Sequence, residues 1–198
     1  MNLELKEIAA FLAAVAGGGF ALWRWTVDQK WRRLQYAQSL IKEFFERKNI
    51  AKAFEVIDTI GEVEFEDDRN PTKRITINIT NDFLISALTT FDQKNKNTYE
   101  EIILRDIFDD LFDGISLFQS HIDIGLIKLQ DIRPYLDYWI KELSGHGKIH
   151  SKKVARQISR YLIFFGYDQA LRFARDMGYP FKDHDPESSE IVKRSPDS

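Results

Sequence analysis

The order of apolar and polar positions separates the first 30 residues from the rest of the chain. Residues 8–23, IAAFLAAVAGGGFALW, contain no charged side chain. As a helix these 16 positions would span roughly 24 Å, somewhat less than a hydrocarbon core of about 30 Å. Leu3 and Leu5 extend the apolar character, and nearby charged side chains can reach the headgroups. The pattern favours a transmembrane anchor within residues 1–30.

The residues that follow the apolar segment indicate its orientation. They combine aromatic and basic side chains, as is typical of the cytoplasmic membrane interface: Trp23, Arg24, Trp25, Lys30, Trp31, Arg32 and Arg33. We therefore expect the N-terminus outside and the remaining chain in the cytoplasm. A cleaved signal peptide is disfavoured because Glu4 and Glu7, not a positive cluster, precede the apolar segment. A buried core helix of a soluble domain stays open as an alternative.

Small side chains recur every fourth residue within the predicted anchor. They form two adjacent rows, Ala9, Ala13, Gly17 and Ala21 beside Ala10, Ala14 and Gly18. In lipid, such rows let helix backbones approach closely. One interpretation is a self-associating anchor and a homo-oligomer. The alternative is a helix that is merely adequate for insertion, weakened by three consecutive glycines.

Residues 31–184 have the periodicity of amphipathic helices separated by short polar breaks, which predicts a mainly α, helical cytoplasmic domain continuous with the anchor. Residues 62–80 contain a turn signal and alternating Ile residues, which predict a loop or a small β-hairpin. The residues 185–198 are rich in Ser, Pro and charge and are expected to be disordered. The predicted helix N-caps are Asn49, Asn81, Thr98, Asp131 and Ser151.

Composition limits the chemistry. The 198 residues include no cysteine, which excludes disulfides and thiolate metal sites, and a net charge of −3 gives no overall attraction to nucleic acid. The four histidines, His121, His146, His150 and His184, lack a helical metal-ligand spacing. No phosphate-binding glycine loop or nucleophile motif is present. We expect no cofactor, no metal and no catalytic residues.

Two charged helix faces are the remaining candidate sites. The acidic face comprises Asp106, Asp109, Asp110 and Asp113, and a solvated surface is favoured over a cation site. The basic face comprises Lys152, Lys153, Arg156 and Arg160. It could contact the phosphates of RNA or anionic lipid, or pair with the acidic face. An RNA site would ideally add exposed aromatic rings, but Tyr161, Phe164 and Phe165 are predicted to point inward.

Two segments carry a resemblance to known proteins. They are YAQSLIKEFFERKNIAKAFEVIDTIG and IFDDLFDGISLFQSHIDIGLIKLQDIRPYLDYWIKEL, the second with a turn at Gly125, Leu126 and Ile127 and terminal aromatic residues Tyr135, Tyr138 and Trp139. The chain resembles, over roughly residues 30–143, uncharacterised bacterial proteins with one N-terminal membrane helix and a helical cytoplasmic domain. This resemblance implies a bacterial inner-membrane protein, which we expect to be a non-enzymatic, self-associating scaffold for an unknown partner.

A second, more distant resemblance gives the alternative function. In size and layout the chain is similar to small membrane-anchored accessory proteins of RNA-targeting CRISPR systems. This resemblance implies an oligomeric membrane pore in antiviral defence, with a helical domain related to the HEPN ribonucleases. The HEPN signature is an Arg followed four to six residues later by His, and no Arg and His of this chain have that spacing. A degenerate nuclease or RNA-binding domain is the third expectation.

Overall fold

Seven helices and one two-stranded antiparallel sheet make up the described part of the chain, residues 2–67, 70–91, 93 and 96–181 of a computed structural model. In chain order the elements are α1 Asn2–Glu46, α2 Lys48–Asp58, β1 Gly61–Asp67, β2 Asn70–Ile79, α3 Asn81–Ala87, α4 Tyr99–Asp123, α5 Leu129–Leu143, α6 Lys152–Phe165 and α7 Asp168–Asp176. The predicted mainly helical fold with a small hairpin is therefore confirmed.

The chain divides into two compact units, Met1–Leu40 and Ile41–Ser198. Helix α1, Asn2–Glu46, contains residues of both units. The predicted disordered tail 185–198 lies outside the described residues.

Helix α4 is the centre of the second unit and packs against α2, α3 and α7. One apolar stripe of this helix, Ile103, Ile107, Leu111 and Ile115, is buried. Three phenylalanines of the same helix, Phe108, Phe112 and Phe118, are also buried, so α4 is covered on more than one side. A helix that is apolar over much of its circumference belongs in the interior of a bundle.

The hairpin contributes one face to this core. Val63 pairs with Ile77 and Phe65 pairs with Ile75, and successive side chains of a strand point to opposite faces. Val63, Phe65 and Ile77 are accordingly buried, while the alternate residue Glu64 is exposed. The hairpin thus covers the core with one face and presents charge on the other.

Three of the five predicted helix caps are wrong by one to three residues. The N-caps at Thr98 and Ser151 are confirmed, whereas Arg47, Thr80 and Lys128 occupy the cap positions predicted for Asn49, Asn81 and Asp131. All three displaced side chains make other bonds, and Asn49 Nδ2 donates to Asp110 Oδ2. Asn81 Oδ1 accepts from the backbone N–H of Ser151 at 3.2 Å, and Asp131 Oδ2 accepts from that of Lys128 at 3.0 Å.

Candidate functional site

Residues 10–26 of α1, which include most of its apolar segment, are all exposed. Within the described residues, one helix is long and apolar enough to cross a membrane, and none of its most apolar window, with a mean hydropathy of 1.2, is buried. Phe11, Leu12, Val15 and Phe20 are each more than half exposed. Water is an unfavourable solvent for so much contiguous apolar surface, which requires lipid or protein as its neighbour.

The predicted aromatic and basic flank is equally exposed. Trp23, Trp25 and Trp31 are each about 60% exposed. Arg24, Lys30 and Arg32 are exposed, and Arg33 is half-buried. These side chains therefore present indole rings and positive charges around one stretch of the helix.

The two rows of small residues form an open surface. A Cβ atom built at Gly17 or Gly18 would meet nothing within 4 Å. Ala10, Ala13, Ala14 and Ala21 are exposed, and the Ala9 side chain lies outside the described atoms. The described part of these rows has the shape that close helix packing requires.

The four residues of the predicted basic face, Lys152, Lys153, Arg156 and Arg160, are all exposed on α6. Three of them are four residues apart and therefore lie on one side of the helix. The side chain of Ser151 caps this helix by accepting from the N–H of Val154 at 3.4 Å.

The loop before α6 is held by a buried carboxylate. Glu142, 8% exposed, accepts from the backbone N–H groups of Lys148 and Ile149 at 3.1–3.2 Å. The approach is close enough that a Cβ atom at Gly147 would overlap the carboxyl group. This arrangement fixes the chain entering α6 and hence the position of the basic face.

The prediction that Phe164 and Phe165 point inward is wrong. Phe164 is 48% exposed and Phe165 is 37% exposed, whereas Tyr161 is buried as predicted. Phe91, which follows α3, is 58% exposed. Helix ends leave their last side chains beyond the neighbouring elements, which periodicity alone does not reveal.

These rings form an aromatic cluster comprising Phe91, Tyr161, Phe164 and Phe165. The Phe165 ring centroid lies 4.6 Å from Tyr161, 5.0 Å from Phe164 and 5.8 Å from Phe91. The guanidinium of Arg105, 6% exposed, lies 4.7 Å from the centre of the Phe91 ring and 5.3 Å from that of Phe165. It also donates to the Thr89 carbonyl at 3.0 Å, which satisfies a charge that is otherwise costly to bury.

The acidic face of α4 is only partly solvated. Asp106, Asp110 and Asp113 are exposed, but Asp109 is half-buried and accepts from the hydroxyls of Tyr161 at 2.7 Å and Tyr167 at 3.0 Å. Burial and the hydrogen bond to Asp109 raise the pKa of Tyr161. Partial desolvation, followed by the charges of Asp109 and Asp110, raises the pKa of Asp113. Asp109 therefore joins α4 to the chain around α6.

The three described histidines contact the backbone or a hydroxyl. His121 Nδ1 lies 2.7 Å from the Leu117 carbonyl, His150 Nε2 lies 2.8 Å from that of Ile57, and His146 Nδ1 lies 3.0 Å from Ser144 Oγ. His184 lies outside the described residues. Within residues that the structure describes, no group of three or more His, Asp or Glu side chains could hold a metal ion.

An open cleft that the sequence does not indicate lies beside α2 and the hairpin, with a volume of about 590 Å³. Charged residues line most of it, including Lys48, Lys52 and Arg74. Lys48 pairs with Glu66, and Arg74 pairs with Glu64 at 2.8 Å. Many of the charged side chains that line the cleft are therefore paired with one another.

Comparison with protein-family models, with curated proteins and with solved structures finds no match to this chain.

Proposed function

We propose that this protein is a non-enzymatic, single-pass membrane protein whose helical domain self-associates as a scaffold at the bacterial inner membrane. The observation that carries this proposal is the complete exposure of the apolar window of α1, next to exposed indole rings and positive charges. A core helix of a soluble domain would bury such a window. The resemblance to bacterial proteins with one N-terminal membrane helix supports the same location.

The orientation follows from the order of charges along α1. Arg24, Lys30, Arg32 and Arg33 follow the apolar segment, and positive charges near a span are retained on the cytoplasmic side. The three tryptophans fit the interface at that end, where an amphipathic ring meets both headgroups and acyl chains. In the proposal, the second unit therefore lies in the cytoplasm.

Alkaline extraction of membranes tests the location. We expect the full chain to stay in the membrane pellet, because only integral proteins resist this extraction. Replacing Phe11 and Val15 with Lys should release a large fraction, since each charge at the centre of a span costs about 2.5–3.5 kcal/mol. Phe11→Leu with Val15→Leu is the matched control and should behave as wild type. Recovery of the wild-type chain in the soluble fraction would contradict the proposal.

Self-association is supported by the open rows of small residues. Replacing Ala13 and Gly17 with Ile should separate the helices and reduce the oligomer mass measured by native mass spectrometry in detergent. Leu12→Ile and Val15→Ile keep the side-chain volume nearly constant and should leave the mass unchanged. If the wild-type chain is monomeric in this measurement, self-association is contradicted, but the proposal of a membrane anchor is not affected.

A membrane pore used in antiviral defence is the second candidate. The open Gly17 and Gly18 surface supports it, because several copies must pack closely to enclose a channel. The resemblance to CRISPR-associated accessory proteins points the same way. Controlled expression should then collapse the membrane potential, and Ala13→Ile with Gly17→Ile should abolish the effect. If the wild-type oligomer is present in the membrane and the membrane potential is unchanged, the pore is excluded and the scaffold proposal stands.

A further inference from the structure

The outer side of α6 combines charge with an exposed aromatic ring. Lys152, Arg156, Arg160 and Phe164 are each four residues apart and all exposed, so they form one continuous row along the helix. Lys153 is exposed beside the start of the row. Successive members of such a row are separated by about 6 Å along the axis. The row thus presents three positive charges in line and ends in an exposed phenyl ring.

The start of α6 breaks a rule of helix stability. Lys152 and Lys153 occupy its first turn, and that turn contains no acidic residue. Positive charges at a helix N-terminus oppose the helix dipole, which favours anions there. Residues that break a local rule without a structural gain are candidates for a functional role. An external anion next to this turn would remove the conflict.

The end of the row continues into a wider apolar surface. Phe164 contacts Phe165, which in turn contacts Phe91, and both contacts are edge-to-face with interplanar angles of 73° and 81°. All three rings are at least 37% exposed. The row of cations therefore ends in an exposed, apolar aromatic surface.

We infer that this surface, comprising Lys152, Lys153, Arg156, Arg160, Phe164, Phe165 and Phe91, docks onto an anionic lipid surface. The cations would contact lipid phosphates, and the phenyl rings would enter the boundary between headgroups and acyl chains. Basic residues beside exposed aromatic side chains are the features of helices that bind at membrane interfaces. The surface would give the second unit its own contact with the bilayer.

The packing of the rings favours lipid over single-stranded nucleic acid. Bases bind by stacking on separate, free aromatic faces. Here Arg105 lies over the rings of Phe91 and Phe165, and the three exposed rings contact one another by their edges. The cluster is therefore apolar, but it leaves few ring faces on which a base could stack. Phenyl rings also lack polar atoms, which suits insertion among acyl chains.

The inference rests on the proposed function, because an anchored chain holds this surface at high local concentration near lipid. Each basic contact with an anionic leaflet is weak by itself. Because the anchor tethers the chain to the membrane, a surface with weak individual contacts is sufficient to bind the leaflet. Failure of the anchor and failure of this surface can nevertheless be separated in one experiment.

The absence of cysteine makes a site-specific probe practical. The full-length Phe164→Cys variant, labelled with the apolar, environment-sensitive fluorophore NBD, is reconstituted into nanodiscs of phosphatidylcholine, with or without about one third phosphatidylglycerol. We expect a blue shift and an intensity increase of roughly two-fold or more in the anionic discs. The shift should decrease in about 1 M salt, where the screening length is about 3 Å. A label at the exposed Gln130→Cys should not respond.

Charge variants test the mechanism. Lys152→Gln, Arg156→Gln and Arg160→Gln together should abolish the response to anionic lipid. The matched control replaces three exposed lysines elsewhere in the second unit, Lys42, Lys128 and Lys141, with Gln and should retain it. Equal responses of the two triple variants would overturn the inference, because they would reflect net charge and no particular surface.

Two further outcomes are decisive. A label that responds to single-stranded RNA but not to anionic lipid would overturn the inference and assign the surface to nucleic acid. If the chain fails to co-elute with phosphatidylcholine discs, the anchor has failed. The labelled protein is then mixed with anionic vesicles, where a salt-sensitive blue shift would support the surface and an unchanged spectrum would overturn it.

Discussion

At the scale of single residues, the packing around Gly114 depends on the absence of a side chain. The Phe44 ring lies so close to Gly114 that a Cβ atom there would overlap it, and Phe44 also packs edge-to-face against Phe118 at 5.0 Å. Gly114→Ala should gain about 1 kcal/mol in helix propensity but lose about 1–3 kcal/mol by overpacking. We expect a net loss of about 1 kcal/mol in the free energy of unfolding and a lower Tm in detergent.

A second variant separates these two effects. Phe44→Leu with Gly114→Ala provides room for the new methyl group, so its Tm should exceed that of Phe44→Leu alone. If Gly114→Ala instead raises the Tm of the otherwise wild-type protein, helix propensity outweighs the steric conflict and the close approach is unimportant.

Tyr138 offers a pH-dependent test of the contact between α5 and α2. Its hydroxyl donates to Asp58 Oδ1 at 2.6 Å, and this hydrogen bond, with a smaller effect of burial, raises the pKa of Tyr138 to about 12. An unfolded Tyr has a pKa near 10. The native state thus holds this proton more tightly, so the stabilisation is complete below about pH 10 and is lost as the pH rises towards 12.

The difference in tyrosinate absorbance between wild type and Tyr138→Phe measures this pKa directly. Asp58→Ala should lower it towards 10 because the acceptor and its charge are removed. Since Tyr138 is half-exposed, Tyr138→Phe should cost less than about 1 kcal/mol near neutral pH. A wild-type titration midpoint near 10 would show that the bond is absent in solution.

Asp109 illustrates which residue properties the sequence leaves undetermined. Helical periodicity correctly places it on the polar side of α4, opposite the apolar stripe. Its hydrogen bonds come from Tyr161 and Tyr167, 52 and 58 residues further along the chain. A local pattern carries no information on such distant partners. The exposed Phe164 and Phe165 were missed for a related reason, because exposure at the end of a helix depends on which neighbours reach it.

At the scale of secondary-structure elements, Glu142 connects α5 to the loop that precedes α6. Glu142→Ala would leave the N–H groups of Lys148 and Ile149 without their acceptor, which costs roughly 1–3 kcal/mol where water cannot replace it. We expect lower stability and faster hydrogen exchange in residues 145–151 and in the first turn of α6.

Glu142→Gln is the conservative comparison. It retains one carbonyl acceptor, and its exchange rates should lie between those of wild type and Glu142→Ala. Unchanged exchange in Glu142→Ala would mean that the loop is held by its other contacts, among them the bond from the Ser151 N–H to Asn81.

The elements themselves were largely predictable because their signals are local. The apolar stripe of α4, the alternating strand of the hairpin and the capping box at Thr98 each lie within a few consecutive residues. The displaced caps at Thr80 and Lys128 show where local chemistry is ambiguous. Thr80 and Asn81 are both good capping residues, and Asn81 instead bonds to Ser151, a contact between distant segments that a local pattern does not contain.

At the scale of the whole molecule, apolar surface is distributed differently in the two units of the chain. The second unit buries a core around α4 that includes Phe44, Phe108, Phe112 and Phe118. The apolar window of α1 has no such burial. Since the net charge is only −3, the location of the protein depends on where its charges lie along the chain, and the most informative positions are those flanking the window.

Moving those charges should therefore change the orientation of the protein. The variant replaces the basic flank, Arg24, Lys30, Arg32 and Arg33, with Gln and changes Glu4 and Glu7 to Lys. Positive charges close to a span determine which end stays in the cytoplasm. With alkaline phosphatase fused to the C-terminus, which is active only outside the cytoplasm, we expect an inactive wild-type fusion and a several-fold gain in the variant.

The same fusion with Lys128, Lys141 and Lys148 replaced by Gln is the control. These lysines lie more than about 20 residues beyond the window, where charge has little effect on topology, so this fusion should stay inactive. An active wild-type fusion would reverse the proposed orientation and place the basic face of α6 away from the anionic cytoplasmic leaflet. The orientation thus decides whether the cations of α6 have a lipid partner in the cell.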